Sequence, residues 1–356
     1  MSTLQISLAV AGGLVLAGVV AHSAWSARRN QPKRATPQAD VGTPGAKATA
    51  SNAAVDAFLE RQEPTFDSDA NLKTLTALTT PEKKSGLDAL IDVIAPILIE
   101  AVVSGEAALV AMPSTRRAGS KPFGVEGLRL GTGDWEHPVA GQRYRAFQCG
   151  VQLTNRTGAL NQIEYSEFVM KAQAFADAIG GEPEFPEMLD EVARARELDQ
   201  FASDHDAQLS FTLRALQTAW SPGYVHQNAA RLGFVAGAMP GRMVLPASQN
   251  GQAPLLGLSF DTQAAMADDP EQTALRELTL SLDVPQVQRS ERPFARMCEA
   301  ALALASSMDG VVIDDNGNPI RPEAMQAIHA DLEQLYDTLD GRDLSAGSVL
   351  GRRLFS

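Results

Sequence analysis

Alternating apolar and polar positions indicate several β-strands in the second half of the chain. Leu, Phe and Val take every second position in two stretches, which is typical of strands that bury one face. Asn250-Gly251 separates two shorter apolar runs, and this dipeptide favours a tight hairpin turn. The predicted strands are residues 209–213, 242–245, 255–260, 278–284 and 311–313.

Helices are predicted where the apolar spacing changes from two residues to three and four. Ser221-Pro222 combines an N-cap residue with a proline in the first turn, a pair that favours the start of a helix. The predicted helices are residues 221–232, 293–308 and 322–339. Each has a single apolar stripe, so we predict an α+β fold: helices cover one face of an antiparallel sheet, and the other face meets solvent.

An internal repeat appears when the chain is shifted by 129 residues. Cys149–Leu153 then falls on the strand at 278–282, and the apolar positions of residues 165–179 fall on those of 294–308 without a gap. Ungapped agreement over a strand and a helix is typical of a duplicated unit. The predicted domains are two diverged α+β copies and a C-terminal tail, residues 86–200, 201–342 and 343–356.

The N-terminus is predicted to be a transmembrane anchor, because residues 4–25 contain no Asp, Glu, Lys or Arg. A helix of that length spans about 33 Å, and a bilayer core is about 30 Å thick. Positive charge follows directly at Arg28 and Arg29, so the positive-inside rule places the body of the protein in the cytoplasm. The alternative is a cleaved signal peptide, but such a peptide carries positive charge before its apolar run. The anchor is assigned to residues 1–27, with Leu4, Ile6, Leu8, Leu14, Leu16 and Trp25 as its candidate membrane residues.

Residues 28–85 are predicted to be a disordered cytoplasmic linker. They are rich in Ala, Thr, Pro, Gln, Asn and Asp, and no aromatic residue precedes Phe58 in this stretch. Such a composition cannot bury enough apolar surface to offset the conformational entropy of the chain.

Composition and missing motifs narrow the possible functions. The 356 residues carry 30 Lys and Arg against 43 Asp and Glu, a formal charge of −13, which argues against nucleic acid as a partner. Two cysteines, Cys149 and Cys298, exclude a disulfide scaffold and a cysteine-based zinc site. The chain has no Walker loop, HExxH or GxSxG motif, and its histidines lie far apart in sequence. We therefore expect a protein without catalytic, metal-binding or cofactor-binding residues.

Two regions of the chain carry motifs of a known family. At the end of the predicted anchor, His22 and Trp25 are three residues apart. Residues 310–322 combine Gly-Val-Val-Ile-Asp-Asp with a short hairpin and a helix-starting proline, and residues 229–234 and 280–285 match in order and at comparable spacing. With these motifs the chain resembles the ZipA family of bacterial cell-division proteins, which tether FtsZ to the inner membrane. The resemblance covers the N-terminus and the second copy.

The resemblance implies a non-enzymatic adaptor of the divisome, with a periplasmic N-terminus and no cofactor. Its implied partners are FtsZ, the inner membrane and other divisome proteins. In the family, the acidic and hydrophobic C-terminal tail of FtsZ lies across the uncovered sheet face, in a shallow apolar groove. Carried over by position, the groove residues are Gln208, Ser210, Met239, Leu255, Gly257, Asp261, Thr279 and Ser281.

This groove is more polar than the family pattern. Only Met239 and Leu255 keep a large apolar side chain. Because apolar burial contributes about 25 cal/mol per Å², we expect such a groove to bind an FtsZ tail weakly or to bind another partner.

Two alternatives to an FtsZ tether stay open at this point. One is a membrane-anchored division scaffold that binds a different partner through the same sheet face. The other is a membrane-anchored enzyme, which would need a pocket where titratable groups converge. The first copy, residues 86–200, either provides a binding face of its own or supports the second copy.

Overall fold

The computed structural model describes residues 86–249, 251–267, 273–314 and 317–356. These residues form two α+β halves, and each half, a sheet with its helices, is named a layer. All of these residues fall within one structural unit. The anchor predicted for residues 1–27 and the linker predicted for residues 28–85 lie outside the described part of the chain. Within the described part, no helix is long and apolar enough to cross a membrane.

The first layer is built on an antiparallel sheet with strand order β3-β4-β6-β1-β9, to which β2 and β5 add short pairings. Strands β7 and β8 form a separate hairpin. The strands are β1 (Asp92–Ile99), β2 (Val103–Ser104), β3 (Arg117–Ala118), β4 (Lys121–Arg129), β5 (Trp135–Glu136), β6 (Arg143–Gln152), β7 (Thr154–Asn155), β8 (Gly158–Ala159) and β9 (Gly181–Pro183). The helices are α1 (Gly105–Ala111), α2 (Gln162–Ile179) and α3 (Met188–His205).

The second layer has the antiparallel strand order β11-β12-β13-β14-β10-β15. Its strands are β10 (Gln208–Ala215), β11 (Val235–Ala236), β12 (Arg242–Leu245), β13 (Leu256–Ser259), β14 (Glu277–Asp283) and β15 (Gly310–Ile313). Its helices are α4 (Pro222–Arg231), α5 (Thr262–Ala265), α6 (Pro293–Met308) and α7 (Pro322–Asp340), and a last helix, α8 (Val349–Leu354), lies near the C-terminus. The predicted strands and helices of this half of the chain are confirmed, with boundaries that agree to within two residues.

The two layers share one topology. The order β4-β6-β1-β9 in the first sheet corresponds to β13-β14-β10-β15 in the second. A helix follows the first long strand of each layer, after the short β2 in the first layer. A long helix precedes the last strand, and another long helix follows it. The shift of 129 residues places β6 on β14, α2 on α6 and the start of β9 on the start of β15.

Two boundaries differ from the sequence-based prediction. Helix α3 continues to His205, so the predicted boundary between residues 200 and 201 falls inside a helix. Its buried positions, Val192, Ala195, Leu198 and Phe201, keep helical spacing across that point, which explains why the helix does not end there. The predicted tail at 343–356 contains helix α8 and buries Leu354 and Phe355.

The C-terminal residues contact both layers. The amide of Gln152 in the first layer donates to the Arg353 carbonyl at 2.7 Å, and the amide of Gln286, just after β14, donates to the Phe355 carbonyl at 2.7 Å. Each buried Leu or Phe side chain contributes about 1.5–3 kcal/mol. The last residues therefore help to hold the two layers together.

The core of the second layer lies between one face of its sheet and helix α6. Leu278, Leu280 and Leu282 on β14 are each at most 1% exposed, and Met297 and Leu304 on α6 are fully buried. The alternate residues of the same strands point away from this core. The predicted arrangement, with helices on one face and the other face left open, is confirmed for this layer.

Candidate functional site

The open face of the second sheet presents two rows of side chains that run across its strands. Strand register places Ser210 opposite Ser281, Ser281 opposite Gly257, Gly257 opposite Val244 and Val244 opposite Val235. Paired residues in antiparallel strands share a face. This first row therefore crosses β10, β14, β13, β12 and β11.

The second row lies two residues along the strands. Thr212 pairs with Thr279, Thr279 with Ser259, and Ser259 with Arg242. Gln208 pairs with Asp283 at the other end of β10 and β14. Register thus brings five of the predicted groove residues onto one surface: Gln208, Ser210, Gly257, Thr279 and Ser281. Gln208, Ser210 and Ser281 are exposed, and Gly257 and Thr279 are half-buried.

Gly257 allows the Ser281 side chain to pack closely within the first row. A Cβ atom at this position would lie 2.7 Å from the Oγ of Ser281, which is too short for a non-bonded contact. The Ser281 hydroxyl donates to the carbonyl of Gly257 at 3.4 Å. The centre of the face is therefore flat, neutral and rich in hydroxyl groups.

Met239 and Asp261 lie beyond the strand ends, outside both rows. Met239 is 56% exposed near the tip of the hairpin between β11 and β12. Asp261 is exposed, and its carboxylate accepts from the N–H of Gln263 at 2.9 Å, so it caps α5. The N–H of Phe260 donates to the carbonyl of Gly241 at 2.9 Å, which ties the two loops together at this corner.

The prediction that Leu255 is an apolar anchor on the open face is wrong, because its side chain is fully buried. Leu255 directly precedes β13 and belongs to the hydrophobic core. The apolar residues that do reach the face are Val235, 48% exposed, and Val244, half-buried. Strand β11 has only two residues, too few for the alternation from which Val235 could have been found.

Ion pairs stand at both ends of the β10–β14 pair. At one end the Arg214 Nε lies 2.6 Å from the Glu277 carboxylate. At the other end Arg156, from the first layer, pairs with Asp283. Hydrogen bonds that Arg156 donates to the Asp283 and Asp206 carboxylates raise the pKa of its guanidinium, so this group stays charged. Between the two ion pairs the face carries no charge on β10 or β14.

This surface is suited to binding a peptide. Hydroxyl groups along the middle can exchange hydrogen bonds with a main chain, and the valines on the β11–β12 side offer apolar contact. Within the described ranges, no three His, Cys, Asp or Glu residues are grouped so that they could hold a metal ion.

The family model for the ZipA C-terminal FtsZ-binding domain matches residues 260–331. The matched segment contains strand β14, helix α6, strand β15 and the first half of α7. It includes three predicted groove residues, Asp261, Thr279 and Ser281. The resemblance seen in the sequence is thereby confirmed for this part of the second layer. No curated protein sequence matches the chain.

Proposed function

We propose that this protein is a non-enzymatic membrane tether of the bacterial divisome, and that the open face of its second layer binds the C-terminal tail of FtsZ. One observation carries the proposal. The segment similar to an FtsZ-binding domain includes β14, which supplies Thr279 and Ser281 to the centre of the only sheet face that the second layer leaves open among its described residues. A role in cell division follows from the same match.

The composition of the face sets the expected strength of binding. Its apolar contacts come from Val235, Val244 and Met239, and its centre is made of hydroxyl groups. Area buried against hydroxyl groups contributes less binding free energy than area buried against hydrocarbon. We therefore expect the complex of this face with an FtsZ tail to have a dissociation constant near or above about 1 μM. A weak single contact is compatible with tethering, since an FtsZ polymer displays many tails and several tethers can engage it together.

The membrane part of the proposal rests on the sequence. Residues 4–25 are uncharged and are followed by Arg28 and Arg29. This pattern supports a single-pass protein of the inner membrane with its N-terminus in the periplasm and both layers in the cytoplasm.

A reporter that is active only in the periplasm, fused after Ser356, should give no signal. A positive reporter, or an N-terminus trimmed near Ala24, would reject this topology.

The test of the FtsZ assignment is a binding isotherm of the full chain with FtsZ and with FtsZ that lacks its C-terminal tail. We expect the full chain to bind FtsZ only when the tail is present. The polarity of the face favours a second candidate, a division scaffold that binds another partner at the same surface. Absence of tail-dependent binding would reject the FtsZ assignment and leave the scaffold.

A further inference from the structure

The outer face of the first sheet corresponds by topology to the open face of the second. Gly150 on β6 lies opposite Ile94 on β1 and opposite Gly124 on β4. Two glycines side by side leave a hollow in the middle of a sheet face, because neither carries a Cβ atom. The shift of 129 residues places Gly150 on Thr279, so the second face has no such hollow.

Leu87 fills this hollow. A Cβ atom at Gly150 would lie 2.6 Å from the Leu87 side chain, and one at Gly124 would lie 3.3 Å from it. The N–H of Leu87 donates to the Glu126 carboxylate at 3.1 Å, and the other oxygen of that carboxylate accepts from the Gln148 amide at 2.8 Å. Glu126 is only 7% exposed. The hollow therefore binds an aliphatic side chain, and the Glu126 carboxylate accepts a hydrogen bond from the main-chain N–H of the same residue. This site, formed by Gly124, Gly150 and Glu126, is named the aliphatic seat.

Apolar surface continues beyond Leu87 along β1. Ile94 is half-buried, Pro96 is exposed, and Leu98 is 70% exposed. By register, Ile94 takes the place that Thr212 has on the second sheet. The first face is thus the more apolar of the two, and a peptide laid across it would bury more hydrocarbon.

Charged residues of opposite sign lie at opposite sides of the first face. Arg143 and Arg145 are exposed at the start of β6. Glu182 is exposed at the opposite edge, beside Leu98 on the neighbouring strand. An acidic and hydrophobic peptide therefore fits with its carboxylates toward the arginines and its apolar residues over β1.

We propose that the outer face of the first layer is a second docking surface for the C-terminal tail of FtsZ, and that Leu87 occupies its aliphatic seat when no tail is bound. This inference rests on the proposed function of the second layer. The seat takes a branched aliphatic side chain plus an N–H donor, which a hydrophobic tail supplies, and the arginines complement its acidic residues. Because the chain's own leucine occupies the seat, a tail binds there only in the fraction of molecules in which Leu87 has left it.

The test is the stoichiometry of a synthetic FtsZ tail peptide bound to the full chain, measured by calorimetry. The wild-type protein is expected to bind one peptide, and Leu87→Ala two. The affinity of the first face for the peptide should rise at least about tenfold when the Leu87 side chain is removed. Leu90→Ala is the matched control, because Leu90 lies in the same segment and is 38% exposed. Adding Leu98→Glu to Leu87→Ala should abolish the second site.

The outcomes separate this inference from the proposed function. One peptide bound by both wild type and Leu87→Ala would overturn the inference and leave the second face in place. Binding to Leu87→Ala alone would support the inference and reject the second face. If Leu87→Ala does not fold, the milder variant Leu87→Val is used, and hydrogen exchange of its residues 94–98 at saturating peptide decides. Slower exchange supports the docking surface, and unchanged exchange overturns it.

Discussion

Arg156 of the first layer holds Asp283 of the second in a two-point ion pair, with Nη1–Oδ2 at 2.7 Å and Nη2–Oδ1 at 2.8 Å. The same guanidinium binds Asp206 at 2.9 Å through Nε and at 2.6 Å through Nη2. Asp283 is the last residue of β14, the strand at the centre of the open face. The first layer is thus fastened directly to one end of the candidate site.

Removing this ion pair should destabilise the protein. Arg156→Ala leaves two carboxylates next to each other without their shared cation, so we expect the free energy of unfolding to fall by about 1–3 kcal/mol. Arg289→Ala is the control, because Arg289 pairs with the more exposed Glu333 and Asp337, where solvent screening makes the expected loss smaller. Urea denaturation measures both losses. Equal losses would show that the pair between the layers is no stronger than a surface ion pair.

The C-terminal residues should matter more than their position in the sequence suggests. Asp92 is fully buried, and its carboxylate lies 2.5 Å from the Arg353 guanidinium. Burial raises the pKa of Asp92, and Arg353 opposes that rise. Arg353→Ala leaves a buried carboxylate without its counter-ion and should cost about 3 kcal/mol of unfolding free energy.

The neighbouring residue provides the control for this prediction. The Arg352 guanidinium donates to the Gly251 carbonyl at 3.4 Å, a long contact, so Arg352→Ala should change stability by less than about 0.5 kcal/mol. Adding Asp92→Asn to Arg353→Ala should restore part of the loss, because the buried charge is then gone. No recovery in the double variant would mean that packing, and not charge, explains the effect.

His226 should give the second layer a measurable sensitivity to acid. Burial lowers its pKa below 6.5, and its ring packs edge-on against Phe260 with centroids 5.7 Å apart. The folded state therefore favours the neutral imidazole. Stability contributed by this group is complete above pH 6.5 and is lost as the pH falls through the lowered pKa of the folded state.

Comparison with His226→Gln isolates this contribution. The substitution removes the titrating group, and its packing cost is the same at every pH. The stability difference between wild type and variant should therefore shrink as the pH is lowered below 6.5. A difference that stays constant in urea titrations across that range would show that His226 does not couple protonation to folding.

Alternation predicted the open face of the second layer but not what covers or borders it. The pattern of Leu209–Leu213 and Leu278–Val284 was sufficient, because a half-buried strand repeats every two residues. Leu255 was misplaced since it lies just outside its strand, where burial depends on tertiary contacts and not on period. Leu87 and Arg353 gave no signal, because Leu87 lies in an irregular segment and Arg353 lies in a helix of six residues, too short to show a periodic pattern.

Met239→Glu should weaken binding of the FtsZ tail while leaving the fold intact. Met239 is 56% exposed at the corner of the open face, and loss of its apolar contact together with a new carboxylate facing an acidic tail should lower the affinity about tenfold, or about 1.4 kcal/mol. Leu302→Glu is a matched control, because Leu302 is 55% exposed on α6, the helix that covers the opposite face. Calorimetry should show a loss for Met239→Glu alone. Similar affinities for the two variants would exclude Met239 from the interface.

A charge placed at the centre of the open face tests whether the FtsZ tail binds there, and the affinity of the full chain for FtsZ is the measurement. Ser281 is exposed between Ser210 and Gly257, so Ser281→Glu should leave the fold intact. It should weaken tail-dependent binding at least about tenfold, because an acidic tail meets a like charge there. Ser166→Glu, on the exposed side of α2, should bind like the wild-type protein. An affinity that Ser281→Glu leaves unchanged would contradict the assignment of the FtsZ tail to this face.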